Sequence, residues 1–137
     1  MVPNLPGLTE EQERKTYHFQ LFPNILISAH PDYVMTHILC PLAPDRTRIE
    51  CEWLFSREAV ESDGFDPTYA SEFWDITNEQ DWKACEAVQR GVSSRGYRQG
   101  PLSPREDAVY DLITLVAGGY LEGGVARPAS RNPEAVW

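Results

Sequence analysis

The decapeptide Arg46–Phe55 reads RTRIECEWLF. Ile49, Cys51, Trp53 and Phe55 alternate in it with Arg48, Glu50, Glu52 and Leu54. Successive side chains of a strand point to opposite faces, so this period of two predicts a strand with one face on a core and the other mostly wet. The same texture recurs upstream. TYHFQLF (16–22), NILISAH (24–30) and YVMTHILC (33–40) are rich in the β-branched and aromatic residues that favour strands. The first two can form one strand bent at Pro23. HPD at His30–Asp32 and PLAPDRT at Pro41–Thr47 supply turn formers. Connections this short join antiparallel neighbours, so residues 16–56 read as a β-meander.

Downstream the period changes. Asp66 can cap a helix with Pro67 at its first position, and the helical pattern runs to about Gly91, whose missing Cβ suits a helix end. After the loop SSRGYRQGPL (93–102), Ser103, Pro104 and Glu106 form a capping box that opens a second helix. Val109, Leu112, Ile113, Val116 and Tyr120 give that helix an apolar stripe. The opening VPNLPGLTEEQERK (2–15) reads as a loop or short helix, and VARPASRNPEAVW (125–137) as disordered. The expected division is a leader (1–15), a folded portion (16–122) and a tail (123–137). A meander followed by two helices is an α+β arrangement with helices covering one sheet face.

The length, 137 residues, suits one domain. With 21 acidic and 12 basic residues the net charge is −9, which opposes binding to nucleic acid or an anionic membrane and mostly means solubility. The three cysteines, Cys40, Cys51 and Cys85, are widely spaced without a C-x-x-C, so neither a disulfide framework nor a zinc knuckle is expected. The first residues lack the apolar stretch of a signal peptide, no run suffices for a membrane span, and the cytoplasm is the simplest compartment.

One carboxylate is out of place. Taking Trp74 as reference, and about 100° per residue, Ala70, Asn78, Asp81, Cys85 and Val88 fall within roughly 40° of it. Glu72, Glu79, Lys83, Glu86 and Arg90 share the opposite, solvated side. Asp81 is therefore expected to point at the sheet, where an unpaired carboxylate is costly. It can be bonded to a buried Arg or to backbone N–H groups. It can belong to an acid pair, although Asp75 lies roughly 100° off the stripe. Or it can be a metal ligand, a weak signal alone because a site needs three or more ligands. His18, His30 and His37 lie on the meander or its turn without ligand spacing, and read as sheet and turn residues. Trp53, Trp74 and Trp82 read first as core or edge aromatics, with an aromatic box for a cation as the lesser alternative. No Gly-rich phosphate loop, Ser-His-Asp order or Cys-His pairing occurs.

The order and spacing of LFPNILISAHPDYVMTHILCPLAPDRTRIECEWLF, EFWDITNEQDWKACEAVQRG and SRGYRQGPLSPREDAVYDLITLVAGGYL resemble the C-terminal part of the catalytic domain of Rieske-type ring-hydroxylating oxygenase alpha subunits. The resemblance runs from about Tyr17 to Leu121, and N-x-x-D-W-x-x-C-E-x-V-Q-x-G is its most specific part. The connection between the helices is similar to the branch containing monooxygenases of quaternary ammonium compounds such as glycine betaine.

The resemblance implies a partial helix-grip fold, in which a curved antiparallel sheet wraps a long helix. It implies a mononuclear Fe(II) held by two His and one Asp, and Asp81 occupies the Asp position. Asn78, one turn earlier, is then a candidate to orient a ligand from behind. It implies O2 and a small organic substrate, aromatic or quaternary ammonium, an electron-transfer reductase and a trimer. The C-x-H…C-x-x-H motif of the [2Fe–2S] Rieske cluster is not present in this sequence, and His18, His30 and His37 do not match the iron-binding histidines. The cluster and those ligands are expected on an N-terminal part or a partner chain. The leading expectation is thus a fragment that contributes the carboxylate ligand, with Trp53 and Trp74 in the pocket wall. Its rivals are a non-catalytic helix-grip remnant that binds a small hydrophobic ligand, and a half-domain that complements another chain.

Overall fold

The computed structural model describes residues 2–123. The chain divides after Tyr97 into two compact units. In the first, four strands form one antiparallel sheet in the order β1-β2-β3-β4: β1 Tyr17–Leu21, β2 Ile25–Ala29, β3 Tyr33–Ala43 and β4 Arg46–Phe55. The meander is as expected, with one correction. Residues 16–30 are not one bent strand. They form a hairpin that turns at the cis Phe22–Pro23 peptide, and Leu21 faces Ile25 across it. Proline cannot donate to a ladder, so it is placed in the turn.

β3 and β4 pair from Tyr33↔Phe55 to Ala43↔Arg46, with an irregularity between Pro41 and Ala43. Met35 lies opposite Trp53, His37 opposite Cys51 and Leu39 opposite Ile49. These residues share the face turned to the long helix α2, Thr68–Val92. The core where they meet is small. Tyr33, Met35 and Ala70 are buried, and Cys51, Trp53, Phe55 and Trp74 pack around them. Fully burying a side chain such as Met35 contributes about 1.5–3 kcal/mol.

The breaks between these elements also have local causes. One helical turn, α1 Arg57–Val60, follows β4, with the Ser56 hydroxyl accepting from Ala59 N–H at 3.1 Å. α2 opens at Thr68, one residue later than expected, yet Asp66 Oδ1 still accepts from Thr68 N–H at 3.0 Å. In the leader, Gln12–Arg14 form a 3-10 turn, and Leu5 N–H donates to the Pro31 carbonyl at 2.6 Å.

The second unit holds α3, Asp107–Glu122, which closes on Gly123 in the left-handed conformation at φ 65°. The expected capping box does not start this helix at Pro104. Ser103 N–H donates to Glu106 Oε2 and Arg105 N–H to Ser103 Oγ, which closes a turn, and helix follows from Asp107. The tail beyond Gly123 lies outside the described residues. Among the described residues no helix is long and apolar enough to cross a membrane.

Candidate functional site

The polar groups that fasten α2 to the sheet lie on one line. Trp74 Nε1–H donates to Tyr33 Oη at 3.0 Å. One turn later Asn78, 4 % exposed, places Oδ1 2.9 Å from His37 Nε2, and its Nδ2 points at Cys51 Sγ at 3.8 Å. With Oδ1 as acceptor, His37 Nε2 carries the proton. The His37 ring meets Trp74 edge-on at 5.5 Å. Burial raises the Cys51 thiol above its ordinary range, helped by the charge of Asp75, so it is a poor source of thiolate.

A second group surrounds Tyr33. His30 stacks on its ring at 4.4 Å and places Nδ1 3.2 Å from Thr16 Oγ1. Burial is the main cause of its lowered pKa. Tyr69 donates to Asp32 Oδ2 at 2.6 Å, and burial together with that bond raises its phenol pKa. The Tyr33 phenol is raised by burial, partly offset by the bond from Trp74.

Asp81 does not point into this core. It is exposed, and Val88, expected on the same inward line, is 63 % exposed. Among the described residues Asp81 has neither a hydrogen bond nor an ion pair, so the buried Arg or backbone partner expected as one alternative is absent there. The reason is geometric. Burial along α2 ends at Asn78, and Asp81 sits about 60° around the axis from Asn78, at the margin of the packed stripe. The cost that made a buried carboxylate conspicuous does not arise for a hydrated one.

Beyond Asn78 the helix and sheet border an open cavity of about 590 Å³ between the β3–β4 hairpin and the second half of α2. Leu39, Asp45, Ile49, Trp82, Cys85 and Gln89 contribute to its wall. The expected wall residues are placed differently. Trp74 packs in the core, and Trp53 borders a separate hollow of about 500 Å³ with Phe65. The aromatic of the larger cavity is Trp82, which directly follows Asp81. The sequence reading named Trp82 only as a core or edge aromatic and left it out of the pocket wall, since it lies about 80° around the axis from Trp74.

His18 lies beside Ser28 Oγ at 3.0 Å and His37 beside Asn78, so both are engaged within the sheet and its helix. Among the described residues no group of three or more His, Cys, Asp or Glu is close enough to hold a metal ion. A two-His, one-carboxylate iron site therefore does not fit these residues taken alone.

The sequence matches the family described as ring hydroxylating alpha subunit (catalytic domain) over residues 1–117. It is 36 % identical over 83 residues to the glycine betaine monooxygenase oxygenase subunit of Chromohalobacter salexigens, covering 60 % of this chain and 19 % of that protein. The subunit of that name from Pseudomonas aeruginosa is 35 % identical over 72 residues, 53 % of this chain and 17 % of the relative. The chloroplastic choline monooxygenase of Arabidopsis thaliana is 25 % identical over 96 residues, 70 % of this chain and 22 % of the relative. The chain thus spans about a fifth of the length of the curated relatives it matches. It belongs to the family of ring-hydroxylating oxygenase alpha subunits, within their catalytic domain.

Proposed function

We propose that this chain supplies the carboxylate side of a mononuclear iron site in an oxygenase that hydroxylates a small organic substrate with O2 in the cytoplasm. The observation that carries the reading is the placement of Asp81. It is a hydrated carboxylate without a partner, one turn beyond the buried Asn78–His37 pair and next to Trp82 in the cavity wall. An iron held by two imidazoles and one carboxylate keeps open positions at which O2 and substrate are brought together. The two imidazoles, the [2Fe–2S] cluster and the docking site for a reductase belong in this reading to the rest of a longer polypeptide or to a complementing chain. The assembled enzyme would be a trimer. The names of the relatives favour a quaternary ammonium substrate over an aromatic one.

In this assembly Asn78 and His37 fix the rotation and height of α2 against the sheet and so set where Asp81 stands. Trp82, which directly follows Asp81, joins Leu39 and Ile49 in the cavity wall. A second reading, a non-catalytic module that holds a small apolar ligand, draws on that cavity and on the lack of a complete ligand group among the described residues.

A graft separates the two. The segment of the Chromohalobacter subunit aligned with this chain is replaced by the corresponding residues, and iron is measured after anaerobic loading. The expected result is mononuclear iron in the graft and loss of most of it in Asp81→Ala, since one ligand of three is removed. Iron retained in Asp81→Ala would remove the ligand role and leave the binding module.

A further inference from the structure

We propose that Trp74, Tyr33 and Tyr69 carry an oxidising equivalent out of the core of this chain, and that the hydrogen-bonded pair Tyr69–Asp32 is where it comes to rest. Trp74 is the inner end. It packs on the buried core, and its ring lies 5.5 Å from that of His37, the partner of Asn78. Its Nε1–H donates to Tyr33 Oη at 3.0 Å, and Tyr33, itself buried, holds its ring 6.1 Å from that of Tyr69. Tyr69 is 42 % exposed and donates to Asp32 Oδ2 at 2.6 Å. Oxidisable rings thus follow one another from core to solvent. The neighbouring rings of Phe55 and Phe73 are far harder to oxidise and offer no branch.

Protons give the path its direction. Removing an electron from Trp74 or Tyr33 leaves a cation in the core, where charge is costly, unless a proton departs as well. The Trp74 N–H meets a phenol oxygen, which is a weak base. Among the described residues no group accepts the Tyr33 O–H. Tyr69 differs because a carboxylate already receives its O–H. When Tyr69 loses one electron, its O–H bond breaks and the proton forms a new O–H bond on Asp32. The products are a neutral phenoxyl radical and a neutral carboxylic acid. Burial and the bond to Asp32 raise the Tyr69 phenol pKa, so no phenolate precedes this step and the two particles leave together.

The oxidant belongs to the class of partly reduced oxygen species, hydroxyl radical above all, which enzymes of an oxygenase family meet. It takes up the electron and becomes hydroxide. A soluble thiol or ascorbate then refills the exposed ring with one electron, and Asp32 returns the proton. The path uses only groups of this chain and is independent of an iron role for Asp81.

Flash photolysis on the full chain tests this. A ruthenium polypyridyl photo-oxidant is attached to the exposed Cys85, with Cys40→Ser to keep the label in one place. A neutral tyrosyl radical, followed by absorbance and electron paramagnetic resonance, is expected, and Tyr69→Phe should remove most of it. Trp74→Phe keeps a ring in the core but not an oxidisable one, and Asp32→Asn removes the base. Each is expected to slow radical formation roughly tenfold or more. Only Asp32→Asn should make the rate depend on the concentration of buffer base. Double resonance on the wild type needs no variant to fold, and should show one exchangeable proton beside the radical oxygen that disappears in D2O. The proposal is overturned if no tyrosyl radical forms, or if its yield survives Tyr69→Phe. It is equally overturned by a rate indifferent to Trp74→Phe or to Asp32→Asn, or by a radical oxygen without that exchangeable proton.

Discussion

Asn78 and Asp81 stand one turn apart on α2, and their surroundings set opposite costs for removing them. Asn78 is buried with both ends of its amide engaged, by His37 and by Cys51. Asn78→Ala leaves the His37 Nε2–H without its acceptor beneath the helix, a loss of about 1–3 kcal/mol. Asp81 is exposed and unpartnered, so Asp81→Ala is expected to shift stability by no more than about 0.5 kcal/mol. Urea midpoints of the two variants measure both. The contrast has a use beyond stability. A residue that serves folding and a residue with the proposed ligand role differ in which assay they fail, and only Asn78 should fail the folding assay. Equal losses at both positions would mean that Asp81 makes a contact in solution that the fold of this chain does not show.

At the scale of the elements, α2 is fastened to the sheet by aromatic rings around a histidine. His30 lies flat on Tyr33 at 4.4 Å and edge-on to Trp74 at 5.8 Å, and its Nε2 is buried without a partner. Protonating that nitrogen would bury a charged donor with no acceptor, so burial holds the pKa below 6.5, with Asp32 opposing and His18 adding slightly. The unfolded chain, free of this burial, takes up the proton first as pH falls. The sign follows: the contribution is complete above about pH 6.5 and declines as pH drops from there towards the lower folded value. The urea midpoint is expected to fall between about pH 7.5 and pH 5.5, and His30→Phe, which retains the stacked ring, should flatten that fall. An unchanged slope would assign the effect to other groups. Much of this arrangement could be read from the chain, and the exceptions have physical reasons. The alternation in Arg46–Phe55 and the turn formers at His30–Asp32 and Pro41–Thr47 are local signals, and local signals placed the last two strands correctly. Pro23 is equally compatible with a bend and with a hairpin turn, and only the pairing of Leu21 with Ile25 decides between them. Asp81 was misplaced because helical periodicity gives a direction around the axis and says nothing about where the sheet beneath it ends. The proposed ligand role of Asp81 rests on resemblance over the whole segment, not on periodicity. Trp82 could have been found by the same arithmetic drawn from Asn78, about 40° away.

For the molecule as a whole, the balance of buried and exposed apolar surface is unusual. Among the described residues few side chains are fully enclosed, and Met35 is the one large residue with none of its surface exposed. On the sheet face away from α2, Phe19 and Leu21 are each 56 % exposed and Leu54 is 54 % exposed. β1 carries Phe19 and Leu21 at the edge of the sheet opposite β4, where an apolar strand is a template for uncontrolled pairing. Such exposed side chains contribute little to the stability of this chain and much to its tendency to aggregate. The double variant Phe19→Lys/Leu21→Lys should therefore keep its thermal midpoint to within a few degrees while light scattering on heating falls. The direction separates two views of the first unit. If the β1 face is solvated, as its exposure indicates, lysines there extend into water and cost almost nothing. If solution packing instead folds that face inward, each substitution removes a buried side chain and the pair costs several kcal/mol, which would unfold a core as small as the one around Met35. Circular dichroism of the double variant at room temperature reads that difference directly.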